Sequence, residues 1–160
     1  MFVFLGGLLH AEEQKLKYVV DGDTIVLSKT TCRLAYIDTP ESRFNKKLQR
    51  DISRSTLSAE EVIKAGRISK NYLKSIMKKG ESYAFDVLTV DKYKRSICVI
   101  YDHNGKSISH KIVKNGMAIP FWRYVKGSVK KEMIELVRFA KTKKKGLWRI
   151  YPSVMETMNH

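Results

Sequence analysis

The chain has 160 residues, and its 31 Lys and Arg residues against 16 Asp and Glu residues give a formal net charge of +15 at pH 7. This length predicts one ordinary domain with its own core, and the charge favours a polyanionic partner such as nucleic acid or an anionic membrane surface. The two cysteines, Cys32 and Cys98, exclude a disulfide-rich scaffold and a thiolate-rich zinc site, but they leave one bridge open.

The N-terminus begins with an apolar run, residues 1–9, which is far shorter than the roughly 20 residues that span a bilayer. Ala11 and two acidic residues follow it, so the run resembles the hydrophobic part of a secretory signal, although no Lys or Arg precedes it. A buried N-terminal strand is the alternative. We expect residues 1–17 to be a signal or anchor-like segment, and the protein to be secreted, periplasmic or associated with the cell envelope.

Two strands are predicted next. Residues 17–27 and 31–37 are β-branched, aromatic or aliphatic, and the short connection between them indicates a hairpin. Pro40 ends the second strand, because proline has no N–H for a ladder and holds the preceding residue out of helical geometry. Residues 42–58 are polar and basic without a sustained period, which predicts a long loop.

A helix is predicted after this loop. Ser58 with Glu61 three residues later is a capping box, and apolar residues follow at helical spacing as far as the basic residues before Gly80. This pattern predicts an amphipathic helix.

The second half of the chain alternates between the two kinds of element. Residues 82–89 and 95–101 predict a second pair of strands, and a short helix follows that stops at Asn115 and Gly116. Ser128 opens a last amphipathic helix. The sequence therefore predicts a single α+β domain, mainly β, with about five strands and about three helices.

Three carboxylates are candidate metal ligands. Asp21 and Asp23 lie two apart in the predicted strand, so their side chains would share a face. With Asp38 at the end of the neighbouring strand they could converge on one cation, and Thr39 could add its backbone carbonyl. Ligands that are all oxygen favour Ca²⁺ or Mg²⁺ over zinc or copper, but the spacing is not that of an EF-hand.

Arginines and one glutamate could act on a phosphate beside that cation. Arg33 and Arg95 carry planar guanidinium groups that can hold two phosphate oxygens, although a surface ion pair is the ordinary role of an arginine. Glu41 could accept a proton from an attacking water, or be a solvent-facing loop residue. Arg33 and Asp38 are five apart, so an unbroken strand would place them on opposite faces, and a shared site requires a bend or end around residues 36–38.

The motifs occur together and in a recognisable order: DGDT, RLAYIDTPE and DKYKR, followed by PFWRY and KKKGLW. This pattern resembles the thermonuclease family, also called staphylococcal nuclease-like domains, from about Tyr18 to Trp148. The resemblance implies a five-stranded OB-type barrel with about three helices, over residues 18–152, with residues 153–160 as a C-terminal tail. It also implies a phosphodiesterase that hydrolyses DNA and RNA with Ca²⁺, leaving 3′-phosphates and 5′-hydroxyls.

The resemblance also implies a role for each matching residue. Asp23 and Asp38 would bind calcium through their carboxylates and Thr39 through its carbonyl, with Asp21 nearby. The expected catalytic residues are Arg33 and Arg95, which would bind phosphate, and Glu41, which would position or activate water. The expected substrate-binding residues are Lys92 and Tyr93 at a terminal phosphate, and Trp122 and Tyr124 at the base pocket.

DNA and RNA are the expected partners, as substrates of a monomer with no stable protein partner. One alternative is a non-catalytic OB-type module that binds nucleic acid, and another is membrane-surface binding through the basic cluster at residues 141–145. Cys32 and Cys98 would face away from the site, toward the core or each other, as a bridge or as buried thiols.

Overall fold

A computed structural model describes residues 12–160. The apolar start of the predicted signal or anchor-like segment, residues 1–11, lies outside the described residues. Within residues 12–160, no helix is long and apolar enough to cross a membrane.

Five strands close into a barrel in the order β1-β2-β3-β6-β5. Neighbouring strands are antiparallel except β3 and β6, which pair in parallel. A separate two-stranded sheet joins β4 to β7. The strands are β1 Glu12–Asp21, β2 Thr24–Leu27, β3 Thr31–Leu34, β4 Ile37–Asp38, β5 Ser82–Val90, β6 Ser96–Ile100 and β7 Ile119–Pro120. The predicted α+β fold with a five-stranded OB-type barrel is confirmed.

The strand predicted over residues 17–27 is divided by a turn at Gly22 and Asp23. Asp21 therefore ends β1 and Asp23 lies in the turn, so the prediction that they share one face of a continuous strand was wrong. Asp-Gly is a strong turn signal, and close packing keeps a side chain out of position 22. A Cβ on Gly22 would lie 2.3 Å from Oγ of Ser69 and 3.0 Å from Oγ1 of Thr39.

The barrel begins earlier in the chain than the predicted domain does. Residues Glu12 to Lys15 of β1 pair with Phe85 to Ser82 of β5, so residues 12–17, which the sequence analysis grouped with the N-terminal segment, belong to a barrel strand. The domain boundaries at 18 and 152 stay predictions.

The bend predicted between Arg33 and Asp38 is present. Tyr36 has φ of 71°, in the left-handed region that few residues other than glycine adopt. Tyr36 lies between β3 and β4, and its left-handed backbone changes the direction of the chain there. This break allows side chains five residues apart to face the same space.

Six α-helices and one 3₁₀ helix lie within the described residues: α1 Lys46–Ser53, α2 Ala59–Ile76, α3 Ile108–Lys114, the 3₁₀ helix Trp122–Tyr124, α4 Gly127–Thr142, α5 Leu147–Ile150 and α6 Pro152–Met158. The three predicted helices correspond to α2, α3 and α4. The capping box at Ser58 and Glu61 is present at the start of α2. The loop predicted over residues 42–58 was wrong in part, because α1 forms inside it.

The hydrophobic core fills the barrel and continues beneath the helices. Cys32 on β3 and Cys98 on β6 are fully buried there and form a disulfide with Cα atoms 5.7 Å apart. Val154 and Met155 of α6 are also buried, so residues predicted as a C-terminal tail contribute to the core.

Candidate active site

Arg33 and two acidic side chains form the centre of the candidate site. Arg33 lies on β3, Asp23 in the turn between β1 and β2, and Asp38 on β4. Nη2 of Arg33 lies 3.1 Å from Oδ2 of Asp23 and 3.0 Å from Oδ1 of Asp38. One guanidinium nitrogen thus joins both carboxylates, so these three predicted residues meet as the sequence analysis expected.

Two hydrogen bonds fix the position of Asp23. The hydroxyl of Thr24 donates to Oδ1 of Asp23 over 2.8 Å. The backbone N–H of Leu34 donates to the carbonyl of Asp23, also over 2.8 Å. Thr39 is buried beside the same turn, at Gly22. The turn is therefore tied both to β3 and to the segment that follows β4.

Glu41 lies just beyond Pro40, and both of its carboxylate oxygens are held. The side-chain amide of Asn45 donates to Oε2, and Nζ of Lys47 lies 2.9 Å from Oε1. Lys47 also approaches Asp38, with Nζ 3.3 Å from Oδ2. The start of α1 therefore connects Glu41 to the carboxylates that Arg33 joins.

Burial and like charge make this acidic cluster unfavourable without cations. Burial raises the pKa of Asp38, and the nearby Asp23 acts in the same direction, whereas Lys47 and Arg33 oppose the rise. Burial also raises the pKa of Asp21. Burial alone would lower the pKa of Lys47, but Asp38 and Glu41 outweigh it and raise that pKa. The cluster is thus arranged to attract positive charge.

Arg95 reaches the site from the connection between β5 and β6. Asp91 holds its guanidinium, with Oδ2 accepting from Nε over 2.8 Å and lying 2.8 Å from Nη2. The guanidinium carbon lies 5.5 Å from the ring centroid of Tyr93, and Nζ of Lys92 lies 5.1 Å from the same ring. The two substrate-binding residues predicted on this hairpin therefore lie beside a predicted catalytic arginine.

These groups line one cleft of about 340 Å³. Five of the predicted metal-binding and catalytic residues contribute to it, namely Asp23, Asp38, Arg33, Glu41 and Arg95. Asp21, Arg43, Asn45 and Lys47 also line the cleft. Guanidinium groups and carboxylates in one cleft suit a phosphodiester, because the negative charge of the phosphate needs cationic partners and an attacking water needs a base.

The model of one family, described as staphylococcal nuclease homologue, matches residues 31–150. The chain belongs to the staphylococcal nuclease family. The match begins after Asp23, so the assignment of that residue to the nuclease site depends on its contact with Arg33. No match to the chain was found among curated proteins.

The donor set of this staphylococcal nuclease domain fits a hard divalent cation. Within residues 12–160, no cluster of three or more His, Cys, Asp or Glu side chains is arranged to hold a metal ion. Such a cation takes carboxylate, backbone carbonyl and water oxygens as ligands. Asp23 and Asp38 supply only oxygen atoms, and Arg33 and Lys47 already bring positive charge to them.

The aromatic residues predicted for the base pocket occupy two different environments. Tyr124 is 59% exposed and contacts Phe121 edge to face, with ring centroids 4.9 Å apart. The Phe121 ring lies 5.4 Å from the guanidinium carbon of Arg33, so Tyr124 is connected to the site through it. The indole N–H of Trp122 instead donates to Asn159 near the C-terminus, over 3.0 Å. Trp122 does not line the cleft.

Sequence reasoning missed Asn45 and Lys47, which α1 brings to Glu41. A signal was present: Asn45 is a favoured N-cap residue, and Leu48 and Ile52 follow at helical spacing. Phe121 beneath Arg33 was also missed, because only the tertiary fold brings residues so far apart in the chain together.

Proposed function

We propose that the protein is a calcium-dependent nuclease that hydrolyses phosphodiester bonds of DNA and RNA, leaving 3′-phosphate and 5′-hydroxyl products. One observation carries the proposal, which is that two guanidinium groups, Glu41 and the pair of carboxylates joined by Arg33 line a single cleft. Family membership supports the nuclease class, and the donor chemistry supports the cation.

Asp23, Asp38 and the carbonyl of Thr39 would hold the cation, which when bound supplies Lewis-acid polarisation of a phosphate oxygen. Arg33 and Arg95 hold the other phosphate oxygens and stabilise the charge that develops on them. Asp91 keeps Arg95 in an extended, partly buried position from which it faces the cleft.

Glu41 takes the proton from the attacking water, because its carboxylate lines the cleft and Asn45 and Lys47 fix its orientation. The water oxygen forms a bond to phosphorus while the bond from phosphorus to the 5′-oxygen breaks. The 5′-oxygen takes a proton from solvent water and leaves as a hydroxyl, the phosphate remains on the 3′-oxygen, and Glu41 releases its proton to solvent. The atoms balance with water as the only co-reactant.

Substrate binding is proposed to extend from the cleft onto the neighbouring aromatic and basic residues. Lys92 and the 68% exposed ring of Tyr93 would meet a terminal phosphate, and Tyr124 would stack on a base. Trp122 is retained as a base-pocket residue on the resemblance alone. The net charge of +15 would gather the polyanion before specific contacts form.

We also propose that the protein is exported, to the outside, the periplasm or the cell envelope. The buried disulfide between Cys32 and Cys98 supports this, because such bridges form and persist in oxidising compartments. The apolar run at residues 1–9 supports it independently.

A calcium-dependence assay with end-group analysis tests the proposal. We expect hydrolysis of single-stranded DNA to stop in excess chelator and to return with added calcium, with products that carry 3′-phosphates. Undiminished hydrolysis in chelator would refute the cation role, and 5′-phosphate products would refute the proposed bond cleavage. Binding of DNA without any hydrolysis would indicate the non-catalytic module instead.

Two variants test the assigned roles. We expect Glu41→Gln to lower kcat by about 10²- to 10⁴-fold, because it removes the base. Arg33→Ala should lower kcat by about 10²- to 10³-fold, because it removes a charge-stabilising group, while DNA binding largely survives in both. Glu60→Gln, on the exposed start of α2, is the matched control and should leave turnover unchanged. Turnover at the control level in either site variant would remove that residue from the mechanism.

A further inference from the structure

Lys47 occupies a place that the roles proposed so far do not use. Its Nζ lies 3.3 Å from Oδ2 of Asp38, 2.9 Å from Oε1 of Glu41 and 3.6 Å from Oδ2 of Asp51. The ammonium group therefore bridges a proposed cation ligand and the proposed base. A positive charge in this position repels any second cation that approaches Asp38.

The position of Lys47 is built into the start of α1. Asn45 caps the helix by accepting the backbone N–H of Leu48 over 2.8 Å, and its amide also donates to Glu41. Leu48 is fully buried in the core and anchors the first turn. The first turn of α1 is thus held by the Asn45 cap before Lys47 and by buried Leu48 after it. The side chain of Lys47 is only 36% exposed.

Charges around the ammonium group define what it can do. Asp38 faces Lys47 from β4, Glu41 from the segment after β4, and Asp51 from the next turn of α1. Arg33 approaches the other oxygen of Asp38. Both oxygens of Asp38 therefore already contact a cationic side chain, and a divalent cation must displace or crowd one of them.

We propose that Lys47 is a tethered cation that competes with the divalent cation for Asp38, so that α1 sets the cation concentration at which the site fills. This inference rests on the calcium site proposed above and adds its regulation. An arginine on a barrel strand has little freedom to leave, whereas a lysine on a four-carbon stem can swing toward Asp51. Lys47 is therefore the group that moves.

The test measures calcium binding by titration calorimetry on the full chain without nucleic acid. Removing the competing charge in Lys47→Gln should tighten calcium binding on the order of ten-fold. Lys47→Arg keeps the charge and should stay close to the wild-type affinity. Lys46→Gln is the matched control, because it removes one positive charge from the adjacent exposed position of α1, and it should change affinity less than two-fold.

A second readout is thermal unfolding. Lys47→Gln should unfold at a lower temperature than the wild type in chelator, because Asp38 and Glu41 lose a partner, and it should gain more from added calcium. This shift also reports whether the variant folds.

The outcomes separate the two proposals. Calcium binding by the wild type with the same or weaker binding by Lys47→Gln would overturn the competition and leave the calcium site standing. Calcium binding by Lys47→Gln but not by the wild type would support the competition and would mean that Lys47 fully blocks the site in the absence of nucleic acid. Absence of binding in both would overturn the calcium site and this inference with it.

Discussion

At the scale of single residues, the site depends on side chains that serve two partners at once. Nη2 of Arg33 joins Asp23 to Asp38 while its guanidinium lies over the Phe121 ring. A lysine could not combine these contacts, because an ammonium group is a point charge without a planar face. This group offsets the repulsion between the two carboxylates, and Lys47 adds to that at Asp38.

Asp91 has a comparable double role. Its Oδ1 accepts the backbone N–H groups of Tyr93 and Arg95 over 2.8 and 3.0 Å, and its Oδ2 holds the Arg95 guanidinium. Burial alone would raise the pKa of Asp91, but these hydrogen bonds hold it below its ordinary value. The carboxylate therefore stabilises the fold fully above its unfolded pKa near about 3.9, and this stabilisation is lost as pH falls through the lower folded pKa.

We predict that Asp91→Asn lowers kcat by roughly 10- to 100-fold while KM changes little, because Arg95 loses the charge that positions it. The amide oxygen can still accept from the turn, but the charge that strengthens these bonds is lost, so the unfolding temperature at neutral pH should fall modestly. Asp86→Asn on β5, whose carboxylate accepts from Tyr101, is the control and should keep its turnover. Steady-state kinetics of both variants decide the point, and equal kcat values would exclude a positioning role for Asp91.

At the scale of elements, α2 sets the position of the segment that carries the proposed base. Gly66 in α2 lies against the backbone of that segment, where a Cβ would stand 2.3 Å from the carbonyl oxygen of Glu41 and 2.6 Å from that of Pro40. Glycine is used here because two backbones approach closely. The same helix meets the DGDT turn through Ser69.

We predict that Gly66→Ala destabilises the protein by about 1–3 kcal/mol despite the better helix propensity of alanine, because backbone atoms must move apart. It should also lower kcat, because Glu41 moves with its backbone. Asn71→Ala, on the exposed face of α2, should not lower either quantity. Denaturant unfolding and kinetics measure both effects, and a Gly66→Ala protein of wild-type stability and turnover would contradict the proposed contact.

Local sequence patterns predicted one of the two helices beside the site and not the other. The capping box at Ser58 and Glu61 predicted α2, because that signal is contained in four consecutive residues. The helix α1 was not predicted, because it is one short amphipathic stretch among polar residues. Leu48 is buried because α1 packs on the core, which the sequence around it does not show. Lys47 consequently had no predicted place.

At the scale of the whole molecule, closure of the barrel brings the two arginines together. The parallel pairing of β3 with β6 closes the sheet between Arg33 and the start of β6 just beyond Arg95. The disulfide between Cys32 and Cys98 links the same two strands inside the core. The two parallel strands are far apart in the chain. The disulfide therefore closes a long loop and removes much conformational entropy from the unfolded chain.

We predict that replacing both cysteines, Cys32→Ala with Cys98→Ala, lowers the free energy of unfolding by about 4 kcal/mol for a bridge of sequence separation 66. Turnover at 25 °C should persist, because the cysteines face the core and do not line the cleft. Thermal unfolding with and without reductant measures the effect. An unfolding midpoint equal to that of the oxidised wild type would show that the bridge does not stabilise the fold.

The sequence by itself determined the strand pairs, the capped helix α2 and five of the charged side chains that line the cleft, because alternation, capping and motif residues are local properties. Tertiary structure decided three other things. The turn at Gly22 breaks the strand between Asp21 and Asp23, the left-handed Tyr36 turns Asp38 toward Arg33, and α1 brings Lys47 to Glu41. Local signals existed for the turn, in Asp-Gly, and for α1, in its N-cap Asn45, but which side chains meet depends on packing between segments distant in the chain.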